Sequence, residues 1–388
     1  MSNKINFIFL GRLTKEKWFD LVLEIVKKHQ NSDKINFWIF GKWDKFFEDK
    51  INKIGGDQAG VKYFGWQNRK TIKNYLWKSH YCLMPSRFLE TFGLSALESI
   101  SEWVPVIWFS KWWLEQFILE DFDISRQDWQ NDFEKLDNII KSIIENQNKE
   151  EYETISNQLK EKSKDYSKES WLTKFQKISG KNKKIIMVSD YIENIGWIEN
   201  YILESSKLLS QSWYQVDKFW LSGKLIKYKK LLMPLVWFNV FAYFGLRKKI
   251  KEFKPDIIWI HSASRYLWWL PLLNCRWKTT LMMYHDLGYF HPYPSQVYEE
   301  KQVVEFGFIN FIKQANSKNP LIIFLVSLKY LSILITRKVL LKVVNCHLIP
   351  SDFMKKFLKN WGVDRDKIVV LKHFWKSWKN QNDKDNWK

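Results

Sequence analysis

The chain has 388 residues, 46% of them hydrophobic, with a formal net charge of +20, and that length supplies two ordinary domains with full cores. Three cysteines, Cys82, Cys275 and Cys346, show neither metal nor disulfide spacing, which excludes a disulfide scaffold or zinc framework and points to a reducing compartment. The positive charge favours polyanionic partners, but it is dispersed as single lysines, with no zinc-finger spacing or RNA-binding aromatic signature, so a membrane surface or phosphorylated substrate fits better than nucleic acid.

The opening run "MSNKINFIFLGRL" holds a six-residue apolar strand, too short for the core of a signal peptide, so a cytoplasmic protein is expected. Five apolar runs then read as buried strands: Ile5–Gly11, Ile35–Gly41, Val61–Gly65, Tyr81–Ser86 and Val104–Trp108. Helical patterns at Phe19–Gln30, Arg69–Lys78 and Gly93–Glu102 alternate with them. This rhythm predicts a parallel sheet with helices on both faces. Charged helical sequence follows from Asp121 to Lys184, and the polar stretch "SGKNKK", Ser179–Lys184, reads as a linker. A second α/β pattern begins there. Its strands are Lys184–Asp190, Val216–Ser222, Pro255–Ser262, Thr279–Asp286, Asn345–Ser351 and Lys367–His373, with a helix over Ile195–Ser212. The expected organisation is a domain over 1–179, a second over 180–375 and a polar tail over 376–388.

Two stretches are more apolar than the rest. Leu231–Leu246 spans 16 residues, short of the ~20 needed to cross a bilayer. Leu321–Val343 is interrupted by Lys329 and Arg337 and reads as a buried amphipathic helix or an interfacial membrane helix.

Chemistry is concentrated in two places in the first half. "GRLTKEKWFD", Gly11–Asp20, places Arg12 and Lys17 in a loop between a strand and a helix. Fixed cations beside free helix-start N–H groups suit a diphosphate. "PSRFLETFGLSALE" sets Glu90 and Glu98 eight residues apart around the Gly93 turn. Both carboxylates can face the crevice at the carboxyl edge of the sheet and accept hydrogen bonds from sugar or ribose hydroxyls. The N–H groups of Phe92, Gly93 and Leu94 can face a phosphate. "DFD" at Asp121–Asp123 has metal-motif spacing but lies far from the other motifs and reads as chance.

These residues carry a resemblance. "GRLTKEK", "FWIFGKWD", "VKYFGW" and "PSRFLETFGLSALESISEWVPVI" are similar, in order and spacing, to the carboxyl-terminal domain of a group 1 (family 4) glycosyltransferase of the GT-B fold. The resemblance implies that Glu98 holds the donor ribose, Glu90 contacts the donor sugar, and Arg12 and Lys17 hold the diphosphate. It places Gly65 beside the base, near the backbone of Phe64. The second half, with "IIMVSDYIENIGWIENYI", "KPDIIWIHS" and "LMMYHDLGYFHPYP", resembles the amino-terminal domain of that family. Gly196 falls in its glycine-rich loop, and His285 matches the histidine of its acceptor cleft. The implied fold is GT-B, two Rossmann-like doubly wound α/β domains facing a cleft. The implied activity is retaining transfer of a hexose from a nucleotide-diphosphate sugar to a glycan or lipid-linked acceptor, without a metal or other cofactor. Peripheral membrane association is compatible with it, at the inner face of the membrane. The family's domain order is reversed here, which implies circular permutation or fusion of two neighbouring transferase fragments. An inactive fusion, or a basic membrane-surface module, are the rival readings.

Tryptophan and glycine are out of proportion, 23 Trp against 14 Gly. An average chain, about 7% Gly, would hold about 27. Trp18, Trp43, Trp103, Trp108, Trp112, Trp113 and Trp197, and with them Trp213, Trp361 and Trp375, fall where the resembled family has glycine. Trp66 and Trp259 are compatible with either residue. The expectation is that UGA codons, glycine in the native host, stand here as tryptophan.

Overall fold

The computed structural model describes residues 4–54, 60–86, 93–109, 122–124, 131–146, 149–190, 197–220, 239–264, 267–290, 307–314 and 319–374. The chain divides into two compact units, Met1–Ser167 with Phe374–Lys388, and Lys168–His373.

The first unit is built on strands β1 (Ile5–Leu10), β2 (Ile35–Phe40), β3 (Val61–Gly65), β4 (Tyr81–Leu83) and β5 (Val106–Ile107). Their order is β3-β2-β1-β4-β5, every neighbouring pair parallel. A parallel sheet is covered on both faces, so its central strands read as continuous apolar runs rather than alternating ones. Phe7 of β1 accordingly lies between Phe37 and Tyr81, 5.6 Å from each ring. The helices are α1 (Phe19–His29), α2 (Lys45–Ile54), α3 (Arg69–Leu76), α4 (Leu94–Ser101), α5 (Asp132–Glu145) and α6 (Lys149–Lys164). Asn68 and Asn131 start α3 and α5 by accepting from the Thr71 and Glu134 N–H groups. Buried Asp137 of α5 binds Lys28 and His29 of α1, both at 2.7 Å, and Lys141 at 2.9 Å. Helix α2 is not among those the sequence pattern predicts. It buries only Phe47 and Ile51, too narrow a stripe to set the period.

The second unit begins with α7 (Lys168–Ser179). Trp171 Nε1 donates to Tyr201 Oη at 3.0 Å and Phe175 packs 4.7 Å from Trp259, so the helix expected to close the first domain packs within the second unit. The remaining elements are β6 (Lys184–Val188), α8 (Trp197–Gln211), β7 (Gln215–Phe219), α9 (Val240–Phe253), β8 (Ile257–Ile260), α10 (Trp269–Leu272), β9 (Thr279–Met283), α11 (Phe308–Gln314), α12 (Pro320–Val343), β10 (Cys346–Ile349), α13 (Lys355–Asn360) and β11 (Ile368–Val370). Strand order is β11-β10-β9-β8-β6-β7, again all parallel. Both units are therefore doubly wound, Rossmann-like α/β domains.

Among the described residues, seven non-glycines have positive φ, and five of them are tryptophan: Trp18 at 52°, Trp43 at 152°, Trp103 at 65°, Trp213 at 70° and Trp268 at 55°. Left-handed backbone costs an L-residue roughly 1–2 kcal/mol, which glycine escapes. Three helix ends make the comparison direct. Helix α4 ends with Trp103 N–H donating to Ile100 O and Val104 N–H to Ser99 O, both at 3.0 Å. Helix α13 ends identically, with Gly362 N–H to Lys359 O at 2.9 Å and Val363 N–H to Leu358 O at 3.0 Å. After α8, Tyr214 N–H reaches back to Leu209 O at 3.1 Å around Trp213. This is the Schellman turn, whose left-handed position is usually glycine. Tryptophan holds it twice and glycine once. Trp268 was not anticipated. Its ψ of −161° puts it in a region essentially reserved for glycine.

Other tryptophans differ. Trp361 has φ −79°, and buried Trp108 lies in an extended bridge to Asp123, so neither backbone requires glycine. Trp197 opens α8. Trp112, Trp113 and Trp375 lie outside the described residues, as does the polar tail.

Candidate functional site

Open parallel sheets bind ligands outside their carboxyl edge, where strand order reverses. In the first unit that point lies between β1 and β4. The loop after β1 carries half-buried Arg12, whose guanidinium stands 5.5 Å over the Trp43 ring. Lys17 closes a single 3-10 turn, Lys15–Lys17, before α1 begins. The Glu16 carboxyl is held below its usual range chiefly by a backbone hydrogen bond, against burial, with the Thr14 hydroxyl and the Arg12 charge assisting.

Glycine draws the neighbouring loops onto this one. Gly41, after β2, has φ 136°, and a Cβ there would sit 1.7 Å from Gly11 O, so no side chain fits. Its N–H donates to Gly65 O at 2.8 Å, and Tyr63 Oη donates to Gly41 O at 2.9 Å. Gly65 closes β3 at φ 65°. The Arg12 loop and Gly65, both assigned from sequence, are thus joined through Gly41.

Across the reversal, Gly93 enters α4 at φ 61°, and its carbonyl accepts from Ala96 at 2.9 Å and Leu97 at 3.1 Å. Leu94 is the first helical residue. Glu98 sits one turn further, half-buried. Burial pushes its carboxyl up to about 7, while the Arg69 charge pulls the other way. Glu90 and Phe92 lie outside the described residues. The edge therefore combines two cations, a helix start and a carboxyl group poised between its charged and neutral forms near neutrality.

In the second unit the reversal falls between β6 and β8. Asp190, buried just past β6, accepts from Ser262 Oγ at 2.7 Å and Leu267 N–H at 2.9 Å. His261 follows β8 and His285 follows β9; His261 Nδ1 and His285 Nε2 share a hydrogen bond at 3.0 Å. His373, after β11, stacks on His285 with ring centres 5.2 Å apart. Tyr201 stands against all three rings. Burial holds all three imidazoles neutral: His285 falls to about 3, and His261 and His373 lie well below their ordinary value, lowered also by neighbouring histidines. His285, matched to an acceptor-cleft residue, is 2% exposed. Gly196 lies outside the described residues. Asp190, Ser262 and His373 were not singled out from sequence. The signal was available, since each lies just beyond a strand of a parallel sheet.

Comparison with known proteins adds two family matches. Residues 2–162 match the model of the family described as Glycosyl transferases group 1, and residues 199–374 the model described as Glycosyltransferase Family 4. An uncharacterized 41.2 kDa protein in the cps region of Klebsiella pneumoniae is 38% identical over 106 residues, 27% of this chain and 28% of that protein. The chain thus matches less than a third of that relative's length. Among solved structures, the pneumococcal O-GlcNAc transferase GtfA in complex with UDP and GlcNAc is 18% identical, covering 45% of this chain and 35% of that one at TM-score 0.38. The C-terminal domain of the group 1 glycosyl transferase LpcC from Francisella tularensis is 17% identical, covering 42% of this chain and 86% of that one at TM-score 0.34. Matches to two glycosyltransferase families together span most of the chain, group 1 first and Family 4 second.

Proposed function

We propose that the chain is a retaining glycosyltransferase that moves a hexose from a nucleotide-diphosphate sugar to a glycan or lipid-linked acceptor. The observation that carries this reading is the β1–β4 edge, where Arg12, Lys17, the α4 start and Glu98 lie on elements flanking one strand-order reversal. The two family matches support it. The cps-region relative supports a place in polysaccharide synthesis.

In this reading the first domain binds the donor. Negative charge grows on the departing diphosphate, and Arg12, Lys17 and the N–H groups around Leu94 stabilise it where it develops. Glu98 accepts the ribose hydroxyls, Gly65 lies beside the base, and Glu90 contacts the sugar. Retention follows from attack on the face the diphosphate leaves, with the diphosphate assisting removal of the acceptor proton. The second domain supplies the acceptor side. His285 serves there as a neutral hydrogen-bonding ring, since burial denies it a positive charge.

Calorimetry of the full chain against a panel of nucleoside diphosphates and their sugars tests the donor assignment. One nucleotide should bind, and Glu98→Ala should weaken it about 10- to 100-fold, the loss of hydrogen bonds to a charged acceptor. No binding across the panel, or unchanged affinity in Glu98→Ala, would overturn it.

A further inference from the structure

Several polar groups at the carboxyl edge of the second domain are too deep to meet a ligand. Asp190, His261, His285 and His373 are each only 1–2% exposed. Three groups beside them are half-buried and keep some access to solvent: Ser262 and Ser264 after β8, and Asp286 after β9. Ser262 Oγ already donates to Asp190 at 2.7 Å. Ser264 and Asp286 stand on neighbouring loops of the edge, and their arrangement is specific.

Gly288 brings them together. Its N–H donates to Asp286 Oδ1 at 2.8 Å. A Cβ at position 288 would stand 2.8 Å from Asp286 Oδ1 and 3.6 Å from Ser264 Oγ. The φ of Gly288 lies outside the left-handed range, so space rather than backbone demands glycine here. A carboxylate and a hydroxyl therefore flank one small space that any side chain would invade. Fixed neighbours hold both loops. Tyr289 Oη accepts from Ala263 N–H at 2.6 Å and joins one loop to the other. Arg337 of α12 donates to the Tyr289 and Phe290 carbonyls at 2.9 Å each, and lies 4.9 Å over the Trp361 ring. Buried Tyr284, at the root of the second loop, is bonded to His347 Nδ1 at 2.8 Å. Groups held this firmly lose little freedom when a ligand arrives.

We propose that Asp286 and Ser264, on either side of Gly288, bind adjacent hydroxyls of an uncharged sugar, the acceptor end of the transfer. An ionised carboxylate only accepts hydrogen bonds, whereas a serine hydroxyl both donates and accepts, so the pair complements two neighbouring sugar hydroxyls. The same carboxylate repels a phosphate or a uronate at this point. The imidazoles behind it are held neutral by burial and bring no compensating positive charge. Resting on the acceptor-side reading of this domain, the inference places the sugar-contacting carboxylate one residue beyond buried His285 and narrows the acceptor group to a neutral sugar.

The test is saturation-transfer NMR of the full chain, without nucleotide, against methyl glucosides, galactosides, mannosides and N-acetylglucosaminides of both anomers, with glucose 6-phosphate as the anionic comparison. At least one methyl glycoside should bind, and more tightly than glucose 6-phosphate. Asp286→Asn should weaken that binding at least about tenfold, and Ser264→Ala about fivefold. Gly288→Ala, whose methyl displaces the Asp286 carboxylate, should abolish it. Circular dichroism confirms that each variant folds, and Ser264→Ala gives an independent reading should the others misfold. Calorimetry with nucleotide on the same samples reports on the first domain separately and should be unchanged in every variant, so the donor assignment and this one fail independently. No methyl glycoside binding, undiminished binding in Asp286→Asn and Ser264→Ala, or tighter binding of glucose 6-phosphate would overturn the proposal.

Discussion

Replacing Trp213 with glycine should stabilise the second domain. The residue occupies the left-handed position after α8 at φ 70°, and its ring is 85% exposed, so removal sacrifices almost no burial. Relief of left-handed strain is worth roughly 1–2 kcal/mol. The greater freedom of glycine in the unfolded chain takes back about 0.4–1 kcal/mol. The net gain is about 0.5–1 kcal/mol, or about 2 °C in melting temperature for a domain of this size. Urea titration followed by far-UV circular dichroism measures it as a higher midpoint at unchanged slope. Gly362 supplies the control. It holds the same position after α13 at φ 90°, and a Cβ there would meet nothing within 4 Å, so Gly362→Ala isolates the backbone term. It should cost about 1 kcal/mol. A lower midpoint for Trp213→Gly, or an unchanged one for Gly362→Ala, would refute the reasoning. The same logic extends to the gene. We propose that Trp18, Trp43, Trp103, Trp213 and Trp268 are encoded by UGA and are glycine in the native protein; UGG codons, or tryptophan in native peptides by mass spectrometry, would sink that idea.

Trp361→Gly should do the opposite of Trp213→Gly. Its φ is ordinary and its ring packs 4.7 Å from Phe290 and under Arg337, so a loss of about 2–4 kcal/mol is expected in the same titration. Asp137→Asn should destabilise the first domain by about 2 kcal/mol, because it disrupts the hydrogen bonds with Lys28, His29 and Lys141. Burial alone would raise the Asp137 carboxyl, but those hydrogen bonds outweigh it and hold it at about 2, below the ordinary 3.8. Its contribution is therefore full above the ordinary value and lost as pH falls through about 2, so acid titrations of wild type and variant should converge in that window. Glu98 has the opposite sign. Its carboxyl is raised from 4.5 to about 7, so the folded chain favours the neutral form and that stabilisation fades as pH rises through 7. Nucleotide binding through the ionised group should tighten across that same interval; affinity independent of pH between about 6 and 8 would remove Glu98 from the ribose site. Arg12→Ala should reduce turnover more than donor affinity, since charge on the diphosphate grows during cleavage.

The sheet of each domain was legible because a parallel strand covered on both faces must be apolar throughout, and runs such as "INFIFL" and "KIIMV" bear no other period. What escaped was information carried by tertiary contact. Helix α2 hides in charged sequence because it needs only Phe47 and Ile51 to hold it down. Helix α7 reads as the close of the first domain by its place in the chain, but Trp171 and Phe175 find Tyr201 and Trp259 in the second unit. Asp190, Ser262 and His373 each stand just beyond a strand that is legible in the sequence, but which of them meet is set by the strand order, which brings together residues nearly two hundred positions apart. The tryptophans show the two kinds of legibility meeting. Their positions in turns are visible in sequence, but whether a turn requires glycine depends on φ. Trp18 and Gly93 make the point in one domain: each is the left-handed residue that starts a helix beside the strand-order reversal, at 52° and 61°. Gly93 does so without strain. The Trp18 ring packs edge-on 4.4 Å from Phe109, so Trp18→Gly would release backbone strain and lose an aromatic contact together. That near-balance makes Trp18 a poor test of the glycine hypothesis, and exposed Trp213, which contributes almost nothing to burial, the better one.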